Sequence, residues 1–249
     1  MLKVSIITAV YNAASTVAST IESVIGQTYP NIEYIVVDGM STDGTDKICN
    51  RYSDRIHLMI REKDHGIYDA LNKGLSSATG DVIGLLHADD FFASSKVVER
   101  IASEFQGDSE IDGVYGDLMY VDARDVEKRL RLWKSTEYRK SRFRWGWMSA
   151  HPTVYFRREC YDRFGYFRTD FRLAADYELM LRMMMIHDAT MKYIPETLVK
   201  MRSGGKSNQS IRNRLLANRE DRMAWLVNGL RPPFGLRLTK PLRKLPQYL

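Results

Sequence analysis

The sequence predicts an α/β fold, with a mostly parallel central sheet and helices on both faces. Three observations carry this. Apolar runs of strand length alternate with amphipathic segments of helix length from Val4 to Phe105. The strand runs are apolar almost without interruption, as strands buried on both faces must be. Two of them end in carboxylates, at Asp38 and at Asp89-Asp90. Carboxylates at the end of a buried strand are costly unless a cation meets them, and ligands of such sheets bind beyond the strands' carboxyl ends.

The elements follow in order. Val4–Ala9 is the first strand. In Ala14–Gln27, Val17, Ile21, Val24 and Ile25 share one helical face, with Ser15 or Thr16 as cap. Pro30 forbids continuation. Glu33–Val37 is a strand, Met40–Gly44 a turn, Thr45–Tyr52 a short helix and His57–Arg61 a strand. Ile67–Ser77 is a helix stopped near Gly80, Val82–Leu86 a strand, and Ser94–Phe105 a helix capped by Ser94 or Ser95. After Gly113 the pattern changes. Gly113–Val121, Arg129–Trp133 and Thr153–Phe156 are strands, and Ser135–Met148 shows no clear period. Ala175–Ile186 is a Leu- and Met-rich helix whose methionines are core, Thr197–Met201 a late strand and Gln209–Val227 a long helix.

The chain has 249 residues, 44% hydrophobic, enough for one sizeable core. No apolar stretch approaches the length of a membrane span. The apolar N-terminus is short and lacks a small-residue cleavage site, so it reads as a first strand rather than a signal peptide. The two cysteines, Cys49 and Cys160, argue against a disulfide framework, and the cytoplasm is the expected location. The net charge of +6 is uneven: Lys and Arg crowd Arg124–Arg144 and the tail from Arg231 to Lys244. Such clusters suit phosphorylated ligands, an anionic membrane or nucleic acid, or are solvated surface. No nucleic-acid motif accompanies them, so that reading ranks third. The first strand-helix turn, Ala9–Ala13, lacks the glycine fingerprint of dinucleotide sites, and no P-loop is present.

Several motifs succeed one another at close spacing: Ser5–Asn12, Val36–Thr45, Gly66–Gly74, Ala78–Asp81 and Leu86–Asp90. Ala150–Thr153, Ala175–Glu178 and Met201–Ser207 follow in the second half. Together they resemble the inverting glycosyltransferase family 2, whose catalytic domain has the GT-A fold. The resemblance covers roughly residues 2–228. It implies one GT-A domain over 1–228, with a nucleotide-binding half (1–112) and an acceptor-side half (113–228), followed by a basic, proline-containing tail at 229–249.

Sugar transfer requires a neutralised diphosphate, an exposed anomeric carbon and an acceptor hydroxyl that loses its proton. By resemblance, Asp89 and Asp90 divide contact with the donor and with Mn²⁺ or Mg²⁺; which takes the metal stays open. Capping of the following helix accounts for one aspartate but not for two. Asp38 resembles the residue that bonds base or ribose, and an Asx-turn is compatible with that role. Thr8, Ala9 and Tyr11 resemble the base-contacting wall. Gly66, Asp69 and Lys73 lie on a further nucleotide-binding segment, although Asp69 and Lys73 also have the spacing of an ordinary ion pair. His65 is a candidate for the sugar. Two departures stand out: Leu71 where Arg is common, and His87 as the first residue of the Asp-x-Asp pattern. Asp176, starting a helix, matches the family's base; the helix dipole alone also favours an acid there. Glu178 points elsewhere on the helix. His151 is a candidate metal or phosphate ligand, against the commoner structural histidine. Arg202, Lys206 and the Gly204-Gly205 pair suggest a loop closing over the diphosphate.

The expected reaction is transfer from a nucleoside-diphosphate sugar, UDP-linked as first guess, to a glycan or lipid-linked acceptor in surface polysaccharide assembly. Trp133, Trp145 and Trp147 suit either stacking on a sugar or a membrane interface, and the basic tail suits peripheral contact with the inner face of the cell membrane. Nucleic acid is not an expected partner. The alternative is a GT-A module that binds nucleotide or glycan without turnover.

Overall fold

The computed structural model describes residues 1–204 and 211–235. Its first half follows the alternation read from the sequence: β1 (Val4–Val10), α1 (Val17–Ile25), β2 (Ile32–Asp38), α2 (Thr45–Asn50), β3 (Leu58–Arg61), α3 (Ile67–Ser77) and β4 (Val82–Leu85). After these come β5 (Asp90–Phe92), α4 (Val97–Gly107), β6 (Gly113–Val121), β7 (Arg129–Trp133), α5 (Lys140–Arg144), β8 (Tyr155–Arg157), α6 (Arg158–Phe164), α7 (Ala175–Leu181), β9 (Met191–Arg202) and α8 (Ile211–Val227).

The strands form one sheet in the order β3-β2-β1-β4-β8-β6-β9-β5, with β7 on β6. The first four are parallel. Beyond β4 the sheet is mixed: β8 is antiparallel to β4 and β6, β9 is parallel to β6, and β5 is antiparallel to β9. Alternate residues of β1 enter opposite cores. Ile7 and Ala9 pack with Ala70, Leu71 and Leu75 of α3 and with α7, while Val4, Ile6 and Val10 pack with Val17, Ile21 and Val24 of α1 and with α4. The sheet therefore carries helices on both faces.

Sequence expectations fail where a partner is distant in the chain. The N-terminal N–H of α4 at Val98 is capped by the Gln27 side chain (3.0 Å), not by Ser94 or Ser95, whose carbonyls bind Gln27 and Thr28. The strand at Thr197–Met201 extends back to Met191, because the β6–β9 register shifts around Pro195 and the missing proline N–H breaks no ladder bond there. The helix from Ala175 turns into a π-helical stretch at Arg182–Ile186, a change that an apolar period does not report. The brief β5, α5 and α6 had no pattern long enough to signal them. Among the described residues, no helix is long and apolar enough to cross a membrane.

Candidate active site

The parallel register brings the predicted rim together. Val10 pairs with Asp38, and Leu86 N–H extends β4 past its last strand residue by donating to Ile7 (3.0 Å). Tyr11, Asp38 and the turn His87–Asp90 therefore leave the sheet at one edge. Tyr11 stands 54% exposed at this edge.

Asp38 is fully buried. One carboxylate oxygen accepts the Ser41 N–H and hydroxyl (2.9 and 2.6 Å), and the other accepts Arg61 Nε (3.0 Å). The Asx-type turn expected at Gly39 is thus present, and it has consumed much of the carboxylate's capacity. Ser41 Oγ also accepts Asn12 N–H, and Asn12 Oδ1 accepts Thr42 N–H (both 2.9 Å), tying the β1 loop to the β2 loop. Gly39 leaves room for Asp64: a Cβ there would stand 2.0 Å from Asp64 Oδ2. Asp64 is not among the expected residues, because nothing local signals that its carboxylate lies over the β2 loop.

Thr8, expected in the base-contacting wall, is fully buried and accepts a hydrogen bond from Tyr34 (3.2 Å), so its side chain lies beneath the rim. Ala9 is also buried. Lys73 is ion-paired with Glu62 (3.0 Å) and Asp69 (3.6 Å) and donates to the Lys63 carbonyl (2.7 Å). Asp69 also accepts His65 N–H (3.0 Å), so the bland reading of the Asp69–Lys73 pair describes what is present. Gly66 has φ +122° at the start of α3, a conformation that favours glycine. Leu71 is buried in the core and offers nothing to a phosphate.

The two aspartates after β4 part company. Asp90 is fully buried, and neither carboxylate oxygen has a hydrogen-bond partner among the described residues. Burial, with Asp89 adding, pushes its carboxyl well above the usual carboxylate range. Asp89 is partly exposed and is the member of the pair open to a solute. Arg202 anchors this turn: Nη1 donates to the Asp89 carbonyl (2.8 Å), Nη2 donates to Ser19 Oγ (2.9 Å), and the guanidinium lies 4.7 Å from the Phe91 ring centroid. The remainder of the expected closing loop, Gly205 to Ser207, lies outside the described residues, as does the tail from Leu236.

Across the rim a chain of contacts leads to the second half. His87 Nε2 lies 3.2 Å from His151 Nε2, and His151 Nδ1 lies 2.9 Å from Asp176 Oδ2. The other Asp176 oxygen accepts Tyr68 O–H (3.4 Å). Burial and the neighbouring His151 hold His87 down at about 4, so it is neutral near pH 7. Asp176 stands in the first turn of α7, where the dipole favours the anion. Glu178 is buried, paired with Arg182 (2.9 Å) and bonded by Asn228 (3.0 Å), and so belongs to the scaffold.

The backbone ahead of α7 is held from α8. Glu220 accepts the N–H groups of Arg172, Leu173 and Ala174 (3.0, 2.8 and 2.9 Å). Trp225 Nε1 donates to Tyr177 O–H (2.9 Å). Neither Tyr68 nor Glu220 carries a sequence signal for this role, since both act across long stretches of chain.

Among the described residues no three His, Cys, Asp or Glu side chains converge into a metal cage. A divalent ion carried on a diphosphate asks for less, one or two protein ligands with phosphate and water completing the shell. Asp89, with the neutral His87 beside it, fits that smaller demand.

Residues 5–165 match the family model described as glycosyl transferase family 2. The PGL/p-HBAD biosynthesis glycosyltransferase of Mycobacterium bovis (strain BCG / Pasteur 1173P2) is 30% identical over 193 residues, covering 72% of this chain and 68% of that protein. The putative teichuronic acid biosynthesis glycosyltransferase TuaG of Bacillus subtilis is 32% identical over 138 residues, 54% of this chain and 55% of that one. Among solved structures, TarS 1–349 of S. aureus superposes with TM-score 0.72 at 18% identity, covering 97% of this chain and 71% of that one. The mannosyltransferase PcManGT from Pyrobaculum calidifontis, in complex with GDP-Man and Mn²⁺, gives 0.69 at 21%, covering 98% and 72%. At such identities these likenesses establish the fold, which is GT-A. The chain belongs to glycosyltransferase family 2 and is a sugar-transferring enzyme.

Proposed function

We propose that this enzyme transfers a sugar from a nucleoside-diphosphate sugar, with inversion, to a glycan or lipid-linked acceptor in surface polysaccharide assembly. UDP is the first nucleotide to test. The observation that carries the reading is the contact chain His87–His151–Asp176, which runs from the turn that holds the partly exposed Asp89 to the helix-start carboxylate Asp176. An inverting displacement needs its base opposite the leaving group, and these two carboxylates supply the two sides.

In this reading Tyr11 stacks on the base, and the Asp38–Ser41–Arg61 knot shapes the ribose pocket. Asp89, aided by His87, would hold Mn²⁺ or Mg²⁺, which would offset the charge of the diphosphate. Asp90 supports the turn from inside the protein. Asp176 accepts the acceptor hydroxyl's proton as the hydroxyl attacks, while Tyr68 and His151 fix its carboxylate. Two relatives are named for biosynthesis, one of teichuronic acid and one of PGL/p-HBAD, which supports a role in polysaccharide or related glycan assembly. One solved neighbour was crystallised with UDP-GlcNAc and another with GDP-Man and Mn²⁺, which supports a nucleotide-sugar donor with a metal. Peripheral membrane contact would bring such an enzyme to a lipid-linked acceptor.

Thermal stabilisation by UDP, GDP, dTDP and CDP, each with and without Mn²⁺, tests the donor side. One nucleotide should raise Tm, and more so with metal. Indifference to all four overturns the donor assignment.

A further inference from the structure

Helix α8 has two unlike faces. Its inner face is spent on α7, through Glu220, Ala224, Trp225 and the following Asn228. The exposed residues Arg212, Leu215, Arg219, Arg222 and Leu226 follow at alternating steps of three and four, so they form one outward stripe. Leu215 is 66% and Leu226 56% exposed. The helix's two acids, Glu220 and Asp221, are buried, which leaves the stripe charged only by arginine. Phe234 then stands fully exposed beyond Arg231. From Arg222 to Leu249 the sequence carries six Lys or Arg and no Asp or Glu.

We infer that the outer stripe of α8 docks on an anionic lipid surface. The inference deepens the membrane-contact part of the proposed reading and assigns it to a helix face. Leucines spaced singly among arginines suit a headgroup boundary, where the apolar side chains enter and the guanidinium groups meet phosphates. The same stripe repels a second copy of itself, because arginine fills three of its five positions. Since Glu220 and Trp225 tie α8 to the start of α7, docking presents the Asp176 side of the rim at a fixed attitude to the bilayer.

The test is cosedimentation of the full chain with vesicles of phosphatidylcholine alone and with about one-third phosphatidylglycerol. The chain binds the anionic vesicles, less so as salt rises. Arg219→Gln/Arg222→Gln weakens partitioning by about fivefold per arginine. Leu215→Gln/Leu226→Gln weakens it as well, and Arg129→Gln/Arg139→Gln leaves it unchanged. All these variants keep the donor-hydrolysis rate, because none lies at the rim; a chain that binds vesicles yet hydrolyses no donor would fail the proposed function and not this inference. Equal binding to both vesicle types, or none, overturns it. So does loss of binding on neutralising Arg237, Lys240, Arg243 and Lys244 while the stripe variants bind normally. A dimer that dissociates in Leu215→Gln/Leu226→Gln, with no vesicle binding, would assign the face to a second copy and overturn it too.

Discussion

His151 Nδ1 lies 2.9 Å from Asp176 Oδ2, joining the turn before β8 to the first turn of α7. The imidazole holds one oxygen of the proposed base from the side that faces His87. Asp176→Asn should lower transfer by about 10²–10⁴-fold with nucleotide affinity unchanged. His151→Asn should cost roughly 100-fold through misplacement of the carboxylate, again without loss of nucleotide binding. Steady-state transfer and calorimetric nucleotide binding on the same preparations separate these effects.

Glu220 positions that same base from behind. Glu220→Ala removes the acceptor of three backbone N–H groups and should lower stability by about 2–3 kcal/mol. Glu220→Gln retains one carbonyl oxygen and should recover part of both stability and transfer. Because the loop it holds leads directly into Asp176, kcat should fall more than nucleotide affinity does. A shift in Tm with unchanged kcat would reduce Glu220 to a purely structural tie.

Arg202 anchors the turn that carries Asp89, through the Asp89 carbonyl and Ser19. Arg202→Ala should weaken nucleotide binding by about tenfold through loosening of that turn, while the response to Mn²⁺ persists. Loss of the metal response with unchanged affinity would contradict this assignment.

At the opposite end of the strands, Glu33 gathers Lys3 (2.6 Å), Ser5 (2.5 Å) and Thr79 (N–H 2.8 Å, hydroxyl 2.5 Å). Burial alone would raise its carboxyl, but these bonds outweigh it and hold the group at about 2. A carboxyl lowered on folding contributes stability above its unfolded pKa, and that contribution is lost as pH falls from about 4.5 toward 2. Glu33→Gln should therefore cost on the order of 1–2 kcal/mol near pH 7, and less with each step of acidification through that window. Urea titrations of both proteins at several pH values measure the difference.

The first half is legible from the sequence because its signals are local. Each strand from β1 to β4 is an apolar run, each helix has a period, and the carboxylates fall at strand ends that a parallel sheet must align. The second half was harder for a physical reason. The clamp on α7 comes from Glu220, and β9 runs past a proline by a register shift; in the first half the cap on α4, which comes from Gln27, was missed for the same reason. Such partners are set by tertiary approach. The candidate site divides the same way: motif position singles out Asp89, Asp90 and Asp176 as candidates, whereas the saturation of Asp38, the burial of Thr8 and the sealing of Asp90 depend on what surrounds each side chain.

The most direct measurement compares Asp89→Ala with Asp176→Asn, each assayed for Mn²⁺-dependent nucleotide binding and for sugar transfer. Asp89→Ala should lose both, and Asp176→Asn should keep the binding and lose the transfer. Transfer at the unaltered rate in Asp176→Asn, or undiminished metal-dependent binding in Asp89→Ala, would contradict the assignment of the two carboxylates to opposite sides of the reaction.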